Sequence, residues 1–520
     1  MTRGRRAAEI LAVTALGLLV LVAHNVPYLL RVPYWTDEAW VAVTTRFPLS
    51  QLPSTTSSNP IGWSVLLRLV TVSGHQTGRL LPLAFAGAAV PVAYWLGRQL
   101  RWPWAPASVL AGLLAAAGAL LVPAMLVRDD LKQYTADACL SLVVLALTTR
   151  LEAGWSRRRL AALSVSIWGG MLFSDSVAFT GAAVLGAVCL VELARRDWRR
   201  LAEAVVAGAA TAILTAAVYA GFYARAVVPG LTAYWAAFYV PAHRGLHAAL
   251  AFIHGQFDLQ HAYFGLGPAW LAVPLVIAGL VTMFWLGHAA TAIAVIALWP
   301  EMMALSALHK YPFLDERTST FLYAVTAATA AIGVVGVCSL LRRWLRGTIA
   351  VVVAAAALAA FAVTAAPYAR GHTIPPNHGD IAVQTRYVAA HAASRDVVLV
   401  NMSSNWGFAY YWPDGRPSTR TDHAVLQEYE AYFPDQPRIV VAFNRTPSSV
   451  SAALTRAVAR AHARVRPGAC ARIWLVRTHG SPAEDAAWQA ALAQQRLTAR
   501  AVSGSDGLSV VPVGGAGCAR

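Results

Sequence analysis

Three short polar groups interrupt a chain that is otherwise strongly apolar. The first is Tyr34-Trp35-Thr36-Asp37-Glu38-Ala39-Trp40, the second Arg128-Asp129-Asp130-Leu131-Lys132-Gln133-Tyr134, and the third His309-Lys310-Tyr311-Pro312-Phe313-Leu314-Asp315-Glu316-Arg317. A carboxylate at a membrane boundary is costly unless it is solvated, paired or used. If used, one of the adjacent pair Asp37 and Glu38 is a general base that takes the proton of an attacking hydroxyl. If unused, it is a solvated loop acid. The flanking Trp35 and Trp40 present aromatic faces that suit sugar rings and a membrane interface alike. The loop then runs through Asn59-Pro60 into an amphipathic stretch of the kind that lies in the interface.

The cations of the other two groups complement such a base. Of 42 basic residues only Lys132 and Lys310 are lysines, and both fall here. With Arg128 and Arg317 they can hold a lipid phosphate and stabilise it as it leaves, arginine through planar bidentate contacts and lysine as a compact charge. A phosphate leaving group needs little protonation, so one base and a cationic cradle suffice. The plain alternative is that these side chains snorkel to the interface or form local ion pairs. The scattered histidines of segment 223–266 match no ligand spacing, so no metal site is expected. Ser174-Asp175-Ser176 reads as a capped turn.

The elements that must position these groups follow from composition. The chain has 520 residues, 57% hydrophobic and 13% charged, whereas soluble domains carry about 25% charged residues. It is therefore expected to be a membrane protein. Its net charge of +17 comes from arginines in short clusters between apolar runs, the distribution of topology signals, and no nucleic-acid partner is expected. Apolar runs end near Leu30 and recur near 79–97, 106–126, 134–150, 160–174, 177–193, 202–222, 267–284, 288–306, 319–340 and 348–368, about eleven spans. The arginine clusters at 3–6, 98–101, 157–159, 195–200 and 342–346 then share one side, which the positive-inside rule makes cytoplasmic. The weakest link is the nearly neutral Gly287-His288 connection. All three polar groups fall on the outer side, as does the C-terminus.

From about residue 370 the composition changes. Strand-like stretches at 396–401, 438–444, 472–478 and 508–513 alternate with amphipathic helical patterns, which predicts a small outer α/β domain, 370–520, after a membrane module, 1–369. Within it Cys470 and Cys518 are candidates for a disulfide in an oxidising compartment.

Taken together, TDEAW (36–40), Asn59-Pro60, ArgLeuLeuPro (79–82), DLKQYTAD (130–137) and KYPFLDERTSTFLYAV (310–325) resemble the GT-C superfamily of integral membrane glycosyltransferases. The likeness is to the branch of the protein O-mannosyltransferases and the lipid A aminoarabinose transferase. The resemblance implies a mainly α, polytopic helical bundle with Asp37 as the catalytic acid residue and Glu38 as its adjacent helper. Lys132, Tyr134 and Arg317 would lie near the donor, with Arg128, Asp130, Lys310 and Tyr311 in the same groups. Trp35, Trp40 and Asn59 would face acceptor or interface. Lys132-Gln133-Tyr134 departs from the Arg-x-Tyr pattern of many relatives. The implied reaction is inverting transfer of a hexose such as mannose, or a pentose such as arabinose, from a polyprenyl-phosphate carrier to a glycan, lipid or protein acceptor. It would occur outside a bacterial inner membrane, with no cofactor beyond the lipid-linked donor and a divalent cation left open. A transporter or flippase of a lipid-linked sugar and a non-catalytic membrane anchor are the rival classes. A transporter calls for ionisable or broken-helix features at the midplane, whereas the charges here cluster at span ends.

Overall fold

In a bilayer an apolar run must satisfy its own backbone, and a helix does so segment by segment. The computed structural model describes residues 3–55, 59–71, 75–121, 131–225, 229–260, 269–342, 381–413, 417–421, 429–466, 469–478, 480–503 and 507–514, with isolated positions between 343 and 380. Ten of the expected runs are helices: α1 (Arg3–Ala23), then, after α2 (Thr36–Thr44) and α3 (Ile61–Val70), α4 (Leu80–Arg98), α5 (Ala105–Leu120), α6 (Tyr134–Ala153), α7 (Arg157–Gly170), α8 (Ser176–Ala194) and α9 (Trp198–Gly221). After α10 (Leu246–Gln260) come α11 (Ala269–Trp285), α12 (Ala289–Ala307) and α13 (Thr320–Leu341). The run 348–368 and the boundary expected at 369/370 fall outside the described residues. Among the described residues five helices are long and apolar enough to cross a membrane, namely α4 with its preceding turn, α8, α9, α12 and α13.

Helix α13 is the axis of the bundle, with 78% of its apolar window buried. It packs on α5, α6 and α11. Association of helices in lipid relies on close packing of small residues. A Cβ at Gly279 of α11 would collide with the Thr329 carbonyl, one at Gly333 with the Leu275 carbonyl, and one at Gly336 with Thr282. The doubtful connection between α11 and α12 is a tight turn with Gly287 at φ +80°. The start of α12 is capped by Glu152 of α6, which accepts from Ala290 N–H at 2.6 Å and Thr291 Oγ1 at 2.7 Å.

Inter-helix contacts show that four connections share one end of the bundle. Arg101 donates to the Ala153 carbonyl at 2.6 Å, its N–H meets His288 at 3.4 Å, and Arg200 lies over Trp155. The opposite end gathers the loop that carries α2 and α3, the turns before α6 and α8, and the segment before α13. Trp63 Nε1 donates to Leu131 O at 2.8 Å, Trp63 N–H to Leu172 O at 3.1 Å, and Phe313 N–H to Phe238 O at 2.8 Å.

The C-terminal domain begins again in the described residues with α14 (Ile381–His391). It continues through β1 (Val397–Val400), α15 (Asn405–Tyr411), β2 (Ser418–Thr421), β3 (Tyr429–Tyr432), β4 (Ile439–Val441), α16 (Pro447–Ala463), β5 (Ala471–Val476), α17 (Pro482–Gln494), β6 (Arg500–Ala501) and β7 (Leu508–Val513). The main sheet has the order β4-β1-β5-β7-β6, with β4, β1 and β5 parallel. All four expected strand stretches are in it. One face buries Leu399 and Ile473 against Leu454 of α16 and Trp488 of α17. On the other face a single core joins Val398 and Trp474 to Trp406 and Phe408 of α15 and onward to Tyr34, Trp40, Trp63 and Leu67 of the loop that carries α2 and α3. Cys470 is disulfide-bonded. Cys139, Cys189 and Cys338 are free, and Cys518 lies outside the described residues.

Candidate functional site

The site is built on α2, a helix of nine residues whose first turn carries both acids. Successive residues of a helix point about 100° apart, so adjacent carboxylates cannot share an environment. Glu38 turns into the protein, where it is 0% exposed and ion-paired with Arg79, itself 1% exposed. Arg79 Nε donates to Glu38 Oε1 at 2.6 Å, and Nη2 to Oε2. The same guanidinium donates to the carbonyls of Leu29, Val32 and Pro33, and Glu38 Oε2 also accepts from Trp35 N–H at 3.3 Å.

Asp37 turns the other way. Its side chain is 26% exposed, and Oδ2 lies 3.7 Å from Nη1 of Arg317. Arg317 is held from two sides: its Nη2 donates to Tyr234 Oη at 3.2 Å, and its guanidinium lies 5.5 Å from the centre of the Trp235 ring. The loop that presents it is tied down by Asp315, whose Oδ2 accepts from Arg317 N–H at 3.2 Å and Thr318 N–H at 3.0 Å. Burial pushes the Asp315 carboxyl above its usual range, with Arg317 pulling it down.

Trp40 stands three residues after Asp37, on the same side of the helix. Its indole donates to Thr55 O at 3.2 Å, and the ammonium of Lys132 lies 5.2 Å from its ring centre. Lys132 is 9% exposed. Arg317 and Lys132, from separate segments of the chain, therefore both lie against α2. Beside Lys132, Gln133 Nε2 donates to Asp175 Oδ2 at 2.5 Å. Asp137, buried one turn into α6, accepts from Ser174 Oγ at 2.6 Å. Burial, with Asp137 close by, holds the Asp175 carboxyl well above its usual range, while Tyr223, Gln133 and Lys132 oppose the shift.

Other expected residues are placed as follows. Tyr311 donates to Thr318 O at 3.0 Å and packs edge-on against Phe179 at 5.0 Å. Tyr134 is buried at the start of α6, Trp35 is half-buried, and Lys310 is exposed. Asn59 is buried, and its amide makes no hydrogen bond among the described residues. Arg128 and Asp130 lie outside the described residues. Among the described residues no group of three or more His, Cys, Asp or Glu side chains is placed to hold a metal ion.

Sequence reasoning gave no site role to Arg79, Asp175, Tyr234 or Trp235. Arg79 had a visible signal, a lone basic residue at the start of a span and the first residue of the ArgLeuLeuPro motif. Asp175 reads as a turn residue because its partners are distant in sequence, Gln133 by 42 positions and Tyr223 by more.

No family model matches the chain, and no curated protein matches it in sequence. Solved structures do match in fold. The oligosaccharyltransferase AglB from Archaeoglobus fulgidus, in complex with an inhibitory peptide and a dolichol-phosphate, superposes with a TM-score of 0.50 at 13% identity, covering 91% of this chain and 70% of that one. ArnT from Cupriavidus metallidurans, bound to undecaprenyl phosphate, superposes with a TM-score of 0.51 at 14% identity, covering 98% of both chains. At these identities the likeness is one of fold alone, and it agrees with the expected mainly α, polytopic bundle carrying a C-terminal α/β domain.

Proposed function

We propose that the protein is a glycosyltransferase that takes a sugar from a polyprenyl-phosphate carrier at the outer face of a bacterial plasma membrane. The observation that carries this reading is the pairing of Asp37 with Arg317, residues 280 positions apart, on the helix face that also meets Lys132. A partly exposed carboxylate and two cations from distant loops form the base and the anion cradle that inverting transfer from a phosphate-linked sugar requires.

In the reaction the acceptor hydroxyl oxygen forms the new bond to the anomeric carbon, and its proton passes to Asp37. The bond from that carbon to the phosphate oxygen breaks, and the electron pair leaves with the polyprenyl phosphate. Arg317 and Lys132 balance the charge that develops there. Glu38 is not free for a second proton transfer, because its carboxylate is enclosed with Arg79. Its part is to fix the rotation of α2 so that Asp37 faces out. Mannose-like hexoses and arabinose-like pentoses are the donors to screen, with glycan, lipid or protein acceptors. In this reading the N-terminus is cytoplasmic and the α/β domain extracytoplasmic.

The test is transfer by purified protein from radiolabelled polyprenyl-phosphate sugars, with the product identified by mass spectrometry. Asp37→Asn keeps size and folding and is expected to abolish transfer. Full activity in that variant would reject the assignment.

A further inference from the structure

The outer domain reaches into the site through one short helix. Helix α15 lies along α2, and its tyrosines are spent on the first outer loop rather than on solvent. The Tyr411 hydroxyl oxygen accepts from Tyr34 N–H at 2.7 Å and from Gln76 Nε2 at 3.2 Å. It therefore ties together the residues just before α2 and just before α4. The neighbouring Tyr410 donates to His75 O at 2.7 Å, and its ring packs on Tyr34 at 5.1 Å. Tyr34 in turn accepts from Gly78 N–H at 2.9 Å. Thr36, immediately before Asp37, donates its Oγ1 to the carbonyl of Ser403, in the turn that follows β1.

A helix of nine residues does not hold itself in water, where isolated helices need roughly 12–15 residues even to be marginal. The position of α2 must come from what it touches. On its inner side that is Arg79 through Glu38. On its outer side, within three residues of Asp37 in either direction, it is Tyr411 through Tyr34, Ser403 through Thr36 and Trp406 against Trp40 at 6.5 Å.

We propose that the C-terminal domain is a working part of the catalytic centre, a clamp that sets Asp37 against Arg317, and that Tyr411 is its principal positioning residue. The catalytic half of this inference rests on the role given to Asp37 above. The mechanical half does not. Tyr411→Phe keeps the ring and its packing but leaves two buried donors without an acceptor, so α2 gains freedom at its first turn. A misplacement of about 1 Å in a catalytic group can cost about 100-fold in rate.

The test uses the full-length protein in detergent and two readouts. Hydrogen exchange is followed over residues 34–46, 80–98 and 320–341. In Tyr411→Phe the first segment is expected to exchange at least tenfold faster while the two spans keep the wild-type rate. Release of polyprenyl phosphate from polyprenyl-phosphate mannose and polyprenyl-phosphate arabinose is measured in vesicles of the producing cells, which supply the acceptor. There kcat per folded protein, with the folded fraction taken from the monodisperse peak after extraction, is expected to fall at least tenfold with donor KM within twofold of wild type; normalising to folded protein separates misplacement of Asp37 from simple loss of enzyme. Tyr387→Phe, on the outer domain away from α2, serves as the unchanged control.

Unaltered exchange over 34–46, or an equal rise in all three segments, would overturn the clamp. So would unchanged kcat in a wild type that is active. If Tyr411→Phe does not fold, Thr36→Val removes the bond to Ser403 alone and is read the same way. If the wild type releases no polyprenyl phosphate from either donor, the glycosyltransferase reading fails for these donors, and the exchange data still decide the clamp.

Discussion

Removing the Arg79 side chain tests the division of labour between the two acids of α2. Arg79→Ala leaves the Glu38 carboxylate at 0% exposure without its cation and strips the donor from three backbone carbonyls, those of Leu29, Val32 and Pro33. Losing one member of a buried ion pair costs about 3–5 kcal/mol, and each carbonyl left dry adds about 1 kcal/mol or more. Water that enters the vacated space recovers part of the second contribution, so a loss of about 4 kcal/mol or more is expected. Arg79→Met combined with Glu38→Leu removes both charges and keeps most of the volume, and such replacements are often neutral. The double variant is therefore expected to be more stable than Arg79→Ala, with a coupling energy near 3 kcal/mol. The assay is unfolding of the purified protein by SDS titration with far-UV circular dichroism, for the singles and the double. Additive losses, or a cost below about 1 kcal/mol for Arg79→Ala, would refute the claim that this pair sets the phase of α2.

Other consequences are checked more simply. Lys132→Met is expected to raise donor KM about tenfold, because one cation of the cradle is gone, while unfolding shifts by about 1 kcal/mol or less for the lost contact with Trp40; unchanged donor KM would remove Lys132 from the cradle. Arg317→Lys keeps the charge but not the planar fork shared among Asp37, Tyr234 and Trp235, and a fall in transfer of about tenfold or more is expected. Gly333→Val drives a side chain into the Leu275 carbonyl and is expected to cost at least about 3 kcal/mol or prevent folding, read as loss of monodisperse protein after extraction. For Asp315, whose carboxyl is raised by burial, the unfolded chain releases its proton first as pH rises from about 4. The native state binds more protons across that window, so this group lowers stability as pH rises toward its folded pKa, and Asp315→Asn should flatten that part of the profile.

How much of this was legible in the sequence depends on the range of the interaction. Spans were legible because each run of apolar residues is its own evidence, and ten of them became helices at nearly the expected limits. The parallel core of the C-terminal domain was legible for the same local reason, since stretches such as Val397–Val400 and Ile439–Val441 are all β-branched or aliphatic. The β2–β3 ladder was not, because Ser418–Thr421 and Tyr429–Tyr432 mix polar residues with aromatics and carry no alternation that marks a buried face. The identity of α2 as a helix was hidden behind its reading as a loop.

The pair Asp37 and Glu38 shows where local reading stops. Both acids have the same neighbours in sequence, and nothing in residues 34–40 says which one faces the protein. That choice is made by Arg79, 41 residues downstream of Glu38, whose guanidinium satisfies both carboxylate oxygens and thereby fixes the rotation of the helix. Once Glu38 is committed inward, helical geometry leaves Asp37 to the partly exposed side, beside Arg317. The aromatic cluster Trp406, Tyr410 and Tyr411 follows the same logic. In sequence these rings suit a glycan as well as a core, and only their burial at 3%, 4% and 7% exposure against Tyr34 and Trp40 decides for the core. The chemistry proposed for the site is thus carried by residues 34–40, but the orientation of Asp37 is set by contacts from two other places, the start of α4 and the C-terminal domain.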